Sequence, residues 1–252
     1  MSTSQFRQFG LIGYPLSHSF SKRYFNEKFE QEGLSNHHYE LFPLARIEEL
    51  PELLTAQPNL VGLNVTIPYK QLVLPFLDEI EEGAAAVGAV NTIHLTEGKL
   101  KGYNTDVYGF QLSLEHFVAA QERERPERAL ILGTGGAARA VAWVLEQLNI
   151  DFDYVSRDPQ KAALTYKMLD HRHLEQVQLI INTTPLGMAP NVEQSPAIPY
   201  SLLGPQHLLY DLVYNPQKTV FLSRGESQGC SIINGLEMLH LQAEKAWEIW
   251  QR

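Results

Sequence analysis

The chain has 252 residues, 44% of them hydrophobic and 19% charged, with a formal net charge of -9. That is ample apolar material to offset the entropy of ordering, so intrinsic disorder is excluded, and the length suits one large domain or two modest ones. The acidic balance argues against a basic face gripping nucleic acid or anionic membrane. One cysteine leaves no intramolecular disulfide and points to a reducing, cytoplasmic home. Met1 to Gln8 lacks the apolar core of a signal peptide, and no run approaches the roughly 18 to 20 apolar residues of a spanning helix.

In chain order, Phe9 to Ile12 reads as a strand. Ser19 to Glu30 reads as a helix with Phe20, Tyr24, Phe25 and Phe29 near one face. Leu60 to Ile67 alternates like a strand and stops at Pro68, and Gln71 to Ile80 is expected to be helical despite an internal proline. Val90 to Leu95 and Lys99 to Tyr103 flank Glu97-Gly98 and predict a hairpin, with a helix following over Val107 to Ala120. Gln121 to Arg128 (QERERPER) is almost wholly polar, contains a helix-stopping proline and reads as a connection between modules.

Beyond it the pattern is more regular. Strands are expected at Arg128 to Leu132, Asp151 to Ser156, Leu179 to Asn182 and Leu208 to Val213. Helices are expected at Ala137 to Leu148, Pro159 to Leu169 and Gly235 to Arg252. Short strands alternating with helices predict a parallel sheet covered on both faces.

The strand RALIL runs into Gly133-Thr134-Gly135-Gly136-Ala137 and straight on into a helix. Gly133 permits a tight turn, Gly135 lets backbone approach a pyrophosphate, and Gly136 to Ala138 let the helix present its N–H groups to the anion. The strand-turn-helix context raises this above a bare glycine pair, whose plainer meaning is a tight turn without a ligand. The next strand ends Ser156-Arg157-Asp158. Arg157 suits the 2′-phosphate of NADP, whereas NAD calls for a carboxylate there. Asp158 is the complication, unless it serves as N-cap of the following helix.

Three polar clusters precede the connection. Gly13-Tyr14-Pro15-Leu16-Ser17-His18-Ser19-Phe20-Ser21 places hydroxyls at a helix start, either to cap it or to bind a carboxylate there. Asn64 and Thr66 sit two apart on a strand, hence on one side, with Lys70 just beyond the strand end. Asn91 and the run Gly102-Tyr103-Asn104-Thr105-Asp106 form the third. Isolated Lys and Asp residues are most often solvated surface.

Together, HSFS, NVTIPYK, GAVNT, YNTD, GTGGAAR, INTTPLGM and NGLEML, in this order and spacing, resemble the shikimate dehydrogenase family over nearly the whole chain. The resemblance implies an α/β protein with an N-terminal substrate domain (1–106, completed by 236–252) and a Rossmann-like doubly wound dinucleotide-binding domain (107–235). The C-terminal helix would return to the substrate domain. The implied activity is NADP-linked, reversible reduction of 3-dehydroshikimate to shikimate, in a monomer or homodimer.

By the same resemblance, Ser19 and Ser21 bind the substrate carboxylate. Asn64, Thr66, Asn91, Asp106 and Gln242 bind its ring hydroxyls, and Tyr214 lines a cleft between domains. Lys70 and Asp106 are the catalytic pair. Gly133, Gly135, Gly136, Ala137, Ser156, Arg157 and Gly235 hold the cofactor. No metal is expected, since the nine histidines fall in no ligand spacing, His37-His38 and His171-x-His173 reading as surface. Two departures stand out: Lys22 replaces the family's proline after the serine pair, and Thr219-Val220 replaces its Thr-Pro, each expected to touch only a helix start. Two other readings are a quinate/shikimate dehydrogenase using NAD, and a non-catalytic NADP-binding sensor with no evident need of both Lys70 and Asp106.

Overall fold

The computed structural model describes residues 6–16 and 19–252. The first five residues, and Ser17 and His18 of the first polar cluster, lie outside the described residues. The chain divides into two compact units: one runs up to Thr105 and takes in Ala243–Arg252, the other is Asp106–Gln242.

The first unit is built from β1 (Arg7–Gly13), α1 (Phe20–Gln31), β2 (His37–Pro43), α2 (Leu50–Ala56), β3 (Leu60–Val65), α3 (Tyr69–Leu72), β4 (Glu79–Ile80), α4 (Glu82–Val87), β5 (Thr92–Thr96) and β6 (Lys99–Tyr103). Its sheet has the order β2-β1-β3-β5-β6-β4. β1 runs parallel to β2 and β3, and the β5-β6 hairpin is antiparallel and pairs antiparallel with β3. Strand alternation divides the apolar residues between the faces. Phe9 and Leu11 meet Phe25, Phe29, Tyr39 and Trp250 on one side, while Ile12, Leu63, Val65 and Ile93 form the core of the other.

The second unit comprises α5 (Thr105–Ala120), whose first residue belongs to the first unit, then β7 (Arg128–Leu132), α6 (Gly136–Gln147), β8 (Asp151–Ser156) and β9 (Leu164–Thr165). It continues through α7 (His171–Glu175), β10 (Leu179–Asn182), β11 (Leu208–Asp211), α8 (Val220–Glu226), β12 (Ser231–Ile233) and α9 (Leu236–Trp250). All six strands are parallel, in the order β12-β11-β10-β7-β8-β9. The sheet order reverses beside β7, the strand that feeds the glycine turn, as in doubly wound nucleotide-binding folds.

α9 carries the chain back into the first unit. Ala243, Ala246, Ile249 and Trp250 are buried in the aromatic cluster there. The Trp250 indole N–H donates to Ile93 O at 2.9 Å, and Gly62 on β3 leaves no room for a Cβ against that ring.

Two expected helices are absent. Over Gln71 to Ile80, α3 stops at Leu72, a 3-10 turn covers Leu74–Phe76, and Glu79–Ile80 becomes an edge strand beside β6. Pro75 supplies no N–H to continue a helix. Over Pro159 to Leu169 the chain makes a turn closed by Lys161 N to Asp158 O, then β9, then a 3-10 turn at Tyr166–Met168. Leu164 and Tyr166 pack on the core at a two-residue spacing that a helix cannot serve. β3 and β11 each end two residues before the expected limit. His37 is not simple surface: its ring stacks on Phe9 at 5.8 Å and meets Trp247 edge-on.

Both departures at helix starts leave the caps intact. Ser19 Oγ accepts Lys22 N at 3.3 Å at the head of α1, and Thr219 Oγ1 accepts Leu222 N at 3.4 Å at the head of α8. Among the described residues no helix is long and apolar enough to cross a membrane.

Candidate active site

In the first unit, several of the polar residues picked out in the sequence join one buried network. Asn64, at the end of β3, donates through Nδ2 to Thr92 Oγ1 at 3.2 Å and to Asn91 O at 3.4 Å. Asn91 Oδ1 accepts Thr105 N at 2.7 Å, Thr92 Oγ1 at 3.1 Å and Thr105 Oγ1 at 3.2 Å. Asn104 Nδ2 donates to Ala89 O at 3.0 Å. All five side chains are buried. So polar a cluster in a sheet-end core is costly unless satisfied, and each bond here satisfies it.

Thr66 lies just past the end of β3, its N–H still bonded to Ile12 O at 2.9 Å. Lys70 is half-buried on α3. That short helix is pinned on both sides of the lysine: buried Tyr69 donates its hydroxyl to Leu44 O at 2.6 Å, and Val90 N donates to Lys70 O at 2.7 Å. Ser19 and Ser21 are half-buried at the head of α1, where Ser19 is the N-cap. Sequence reasoning missed Tyr39, whose hydroxyl donates to Asn64 Oδ1 at 2.7 Å. It sits on β2, a strand that the sequence pattern did not reveal.

In the second unit, Asp106 is half-buried in the first turn of α5, where a carboxylate complements the helix dipole. Gln242 is half-buried on α9 near Gly109 of α5, whose missing Cβ allows the two helices to approach closely. Tyr214, three residues past β11, is 42% exposed. Gly235 is packed against the backbone of Leu212, with no space for a side chain.

The glycine turn fits a dinucleotide. Gly133 has φ +113, and a Cβ there would meet Thr183 Oγ1 at 2.8 Å and Thr184 Cγ2 at 3.0 Å. Gly135 is the N-cap of α6 with no side-chain cap bond, nothing would obstruct a Cβ on it, and Gly136 and Ala137 are exposed. The first N–H groups of a twelve-residue helix are therefore presented outward, as a phosphate group requires. Ser156 is buried, its Oγ accepting Asp158 N at 3.1 Å, and Arg157 is exposed at the strand tip. Asp158 caps a turn rather than a helix, its Oδ1 accepting Gln160 N at 3.0 Å.

Thr183 and Thr184 follow β10 and stand against this turn. Thr184 is held by Asn182 Oδ1, and Asn182 Nδ2 donates to the buried Asp211 at 2.9 Å. Burial pushes the Asp211 carboxyl up to about 6, against hydrogen bonds from Thr219, Val213 N and Asn182 that pull it down.

A doubly wound unit with an open glycine turn, joined in one chain to a polar substrate-type unit, defines a dinucleotide-dependent oxidoreductase. Residues 11–93 match the family model described as the shikimate dehydrogenase substrate binding domain. The chain is 40% identical to the NADP-dependent shikimate dehydrogenase of Desulforamulus reducens, over 96% of this chain and 88% of that protein. It superposes with TM-score 0.82 on the Thermus thermophilus shikimate 5-dehydrogenase solved with NADP(H) and shikimate (31% identity, covering 97% of this chain and 93% of that one). The quinate dehydrogenase of Corynebacterium glutamicum, solved with NAD, gives TM-score 0.87 at 27% identity, covering 98% and 94%. The chain belongs to the shikimate dehydrogenase family.

Proposed function

We infer that the protein catalyses the NADP-dependent, reversible reduction of 3-dehydroshikimate to shikimate, a step toward the aromatic amino acids. The observation that carries this reading is the satisfied Asn64–Asn91–Thr105 network in a chain of this family. Amides held in place beforehand leave less to order when a polyhydroxylated ring binds beside them.

When bound, the nicotinamide supplies or takes up the hydride. Hydride addition to a ketone builds negative charge on its oxygen, so the group needed there is a cation able to give a proton. Lys70 fills that role. Its ammonium donates the proton in reduction, and its amine takes one back in oxidation. Asp106 orients Lys70 and binds a neighbouring hydroxyl. Ser19 and Ser21 receive the carboxylate, and Thr66, Tyr214 and Gln242 complete the substrate contacts with Asn64 and Asn91. The unit ending at Thr105 would thus be the substrate domain, completed by the end of α9, and the other the NADP domain. Gly133, Gly135, Gly136 and Ala137 would face the pyrophosphate, Arg157 the 2′-phosphate beside Ser156, and Gly235 would complete the cofactor site. A cytoplasmic location belongs to the same reading, supported by one cysteine in 252 residues.

The test is an absorbance assay at the reduced-nicotinamide band, with shikimate or quinate and NADP or NAD. Turnover of shikimate with NADP well above every other pairing is the expected result. Preference for quinate with NAD would favour the other activity named among the structural neighbours, and no turnover would favour a sensor.

A further inference from the structure

We propose that Asp211 is a positioning residue for the dinucleotide site, holding the wall behind the glycine turn in place through Asn182 and Thr184. The proposal rests on the assignment of that turn to the cofactor, given above.

Asp211, Asn182 and Leu132 lie in one row across β11, β10 and β7, at the ends of three parallel strands, and Gly133 follows directly. Side chains in register on parallel strands share a face, so Asp211 and Asn182 meet, both fully buried. One carboxylate oxygen of Asp211, Oδ1, accepts Asn182 Nδ2 at 2.9 Å and Val213 N at 3.0 Å, while the other accepts the Thr219 hydroxyl at 2.6 Å.

These bonds orient the Asn182 amide. With its nitrogen committed to the carboxylate, its oxygen faces Thr184 and accepts the backbone N–H there at 3.1 Å and the hydroxyl at 2.6 Å. Thr184 is thereby set with its methyl group against Gly133, and a Cβ on that glycine would stand 3.0 Å from Thr184 Cγ2. Thr183 completes the wall, its hydroxyl donating to Leu132 O at 2.7 Å. Asp211 thus acts on the turn two hydrogen bonds away, through residues that leave no room behind Gly133. A turn fixed beforehand need not be ordered when a pyrophosphate binds, and that saving appears in affinity for any dinucleotide, with or without a 2′-phosphate. The chain of bonds needs the oxygen that faces Asn182 and Val213, not the negative charge.

The experiment is titration of NADPH and NADH, each followed by its own fluorescence, with shikimate kinetics alongside. In Asp211→Ala both dissociation constants should rise about tenfold, the scale of one lost hydrogen bond, and by the same factor, with kcat and the Michaelis constant for shikimate at saturating cofactor within a fewfold. Asp211→Asn keeps an oxygen toward Asn182 and Val213 and should restore cofactor binding. Thr219→Val breaks the other arm of the carboxylate and the cap of α8, and should lower the melting temperature while leaving both dissociation constants near wild type. Should Asp211→Ala fail to fold, Thr184→Val severs the same chain at a half-buried residue and should give the same rise for both cofactors. Unchanged cofactor binding in whichever of these two folds, no restoration in Asp211→Asn, or an equal rise in Thr219→Val overturns the positioning role. Wild-type protein that binds neither dinucleotide overturns the cofactor reading, and this proposal with it.

Discussion

The side-chain oxygen of Asn91 accepts the backbone N–H of Thr105 at 2.7 Å, so a residue just before β5 caps the first turn of α5. The residue after Thr105 is Asp106, and the cap therefore settles where the helix bearing that carboxylate begins. In Asn91→Ala the Thr105 amide is left buried and unpaired. Urea unfolding should register a loss of about 1–3 kcal/mol, and turnover should fall with it. Unchanged stability would mean that the cap contributes nothing.

Lys70→Ala should cut kcat by two or more orders of magnitude, roughly the scale of general acid catalysis, with little change in the Michaelis constant for shikimate. Tyr69 and the Val90–Lys70 backbone bond, which hold α3, survive the substitution, so the far-ultraviolet circular dichroism of the variant should match wild type. Near-normal turnover would remove Lys70 from the mechanism.

Arg157→Ala should weaken NADP by about 10- to 100-fold, the range of a charge-assisted contact, and leave NAD nearly untouched. Titration of each cofactor by fluorescence measures both. Equal losses for the two would refute a contact with the 2′-phosphate, the one group that distinguishes them.

Asp211 makes stability depend on pH. Its folded carboxyl is pushed up to about 6 from 3.8. The folded state thus holds a proton that the unfolded chain has released, and stability falls as pH rises across that window. A gap of that size corresponds to about 3 kcal/mol, present in full below the unfolded value and lost once pH has passed through the folded one. In Asp211→Asn the amide nitrogen can donate to Thr219, and the decline should flatten. Urea unfolding of both proteins from about pH 4 to about pH 7 would reveal it, and parallel profiles would dismiss it.

The strands and helices legible in the sequence were those with one clear period or one clear stop. RALIL before a glycine run, the Glu97-Gly98 hairpin and the apolar stripe of α9 each carry their own local signal. β2 does not: HHYELFP mixes imidazole, carboxylate and aromatic residues, and its strand form comes from pairing with β1. Tyr39 was hidden with it. The segment 159–169 misled in the opposite sense, because its alanines and leucines suit a helix while Leu164 and Tyr166 are claimed by the sheet edge. Among site residues, motif spacing could name Asn64 and Asn91 but not reveal that they share a network, since that depends on β3 pairing with β5. Asp211, too, ends a strand that the pattern shows plainly, yet only burial gives it an unusual proton affinity.

Trp250 fills the aromatic cluster on the β1 side of the first sheet, although about 240 residues of chain separate it from Phe9. During synthesis, then, the portion made first cannot close its interior until residue 250 has left the ribosome. The nucleotide-binding portion, all of whose strands precede that residue, is free to assemble earlier. Birth order and order of completion are reversed, and the nascent N-terminal sheet must wait with one apolar face uncovered, the interval in which it is most open to chaperones and to aggregation.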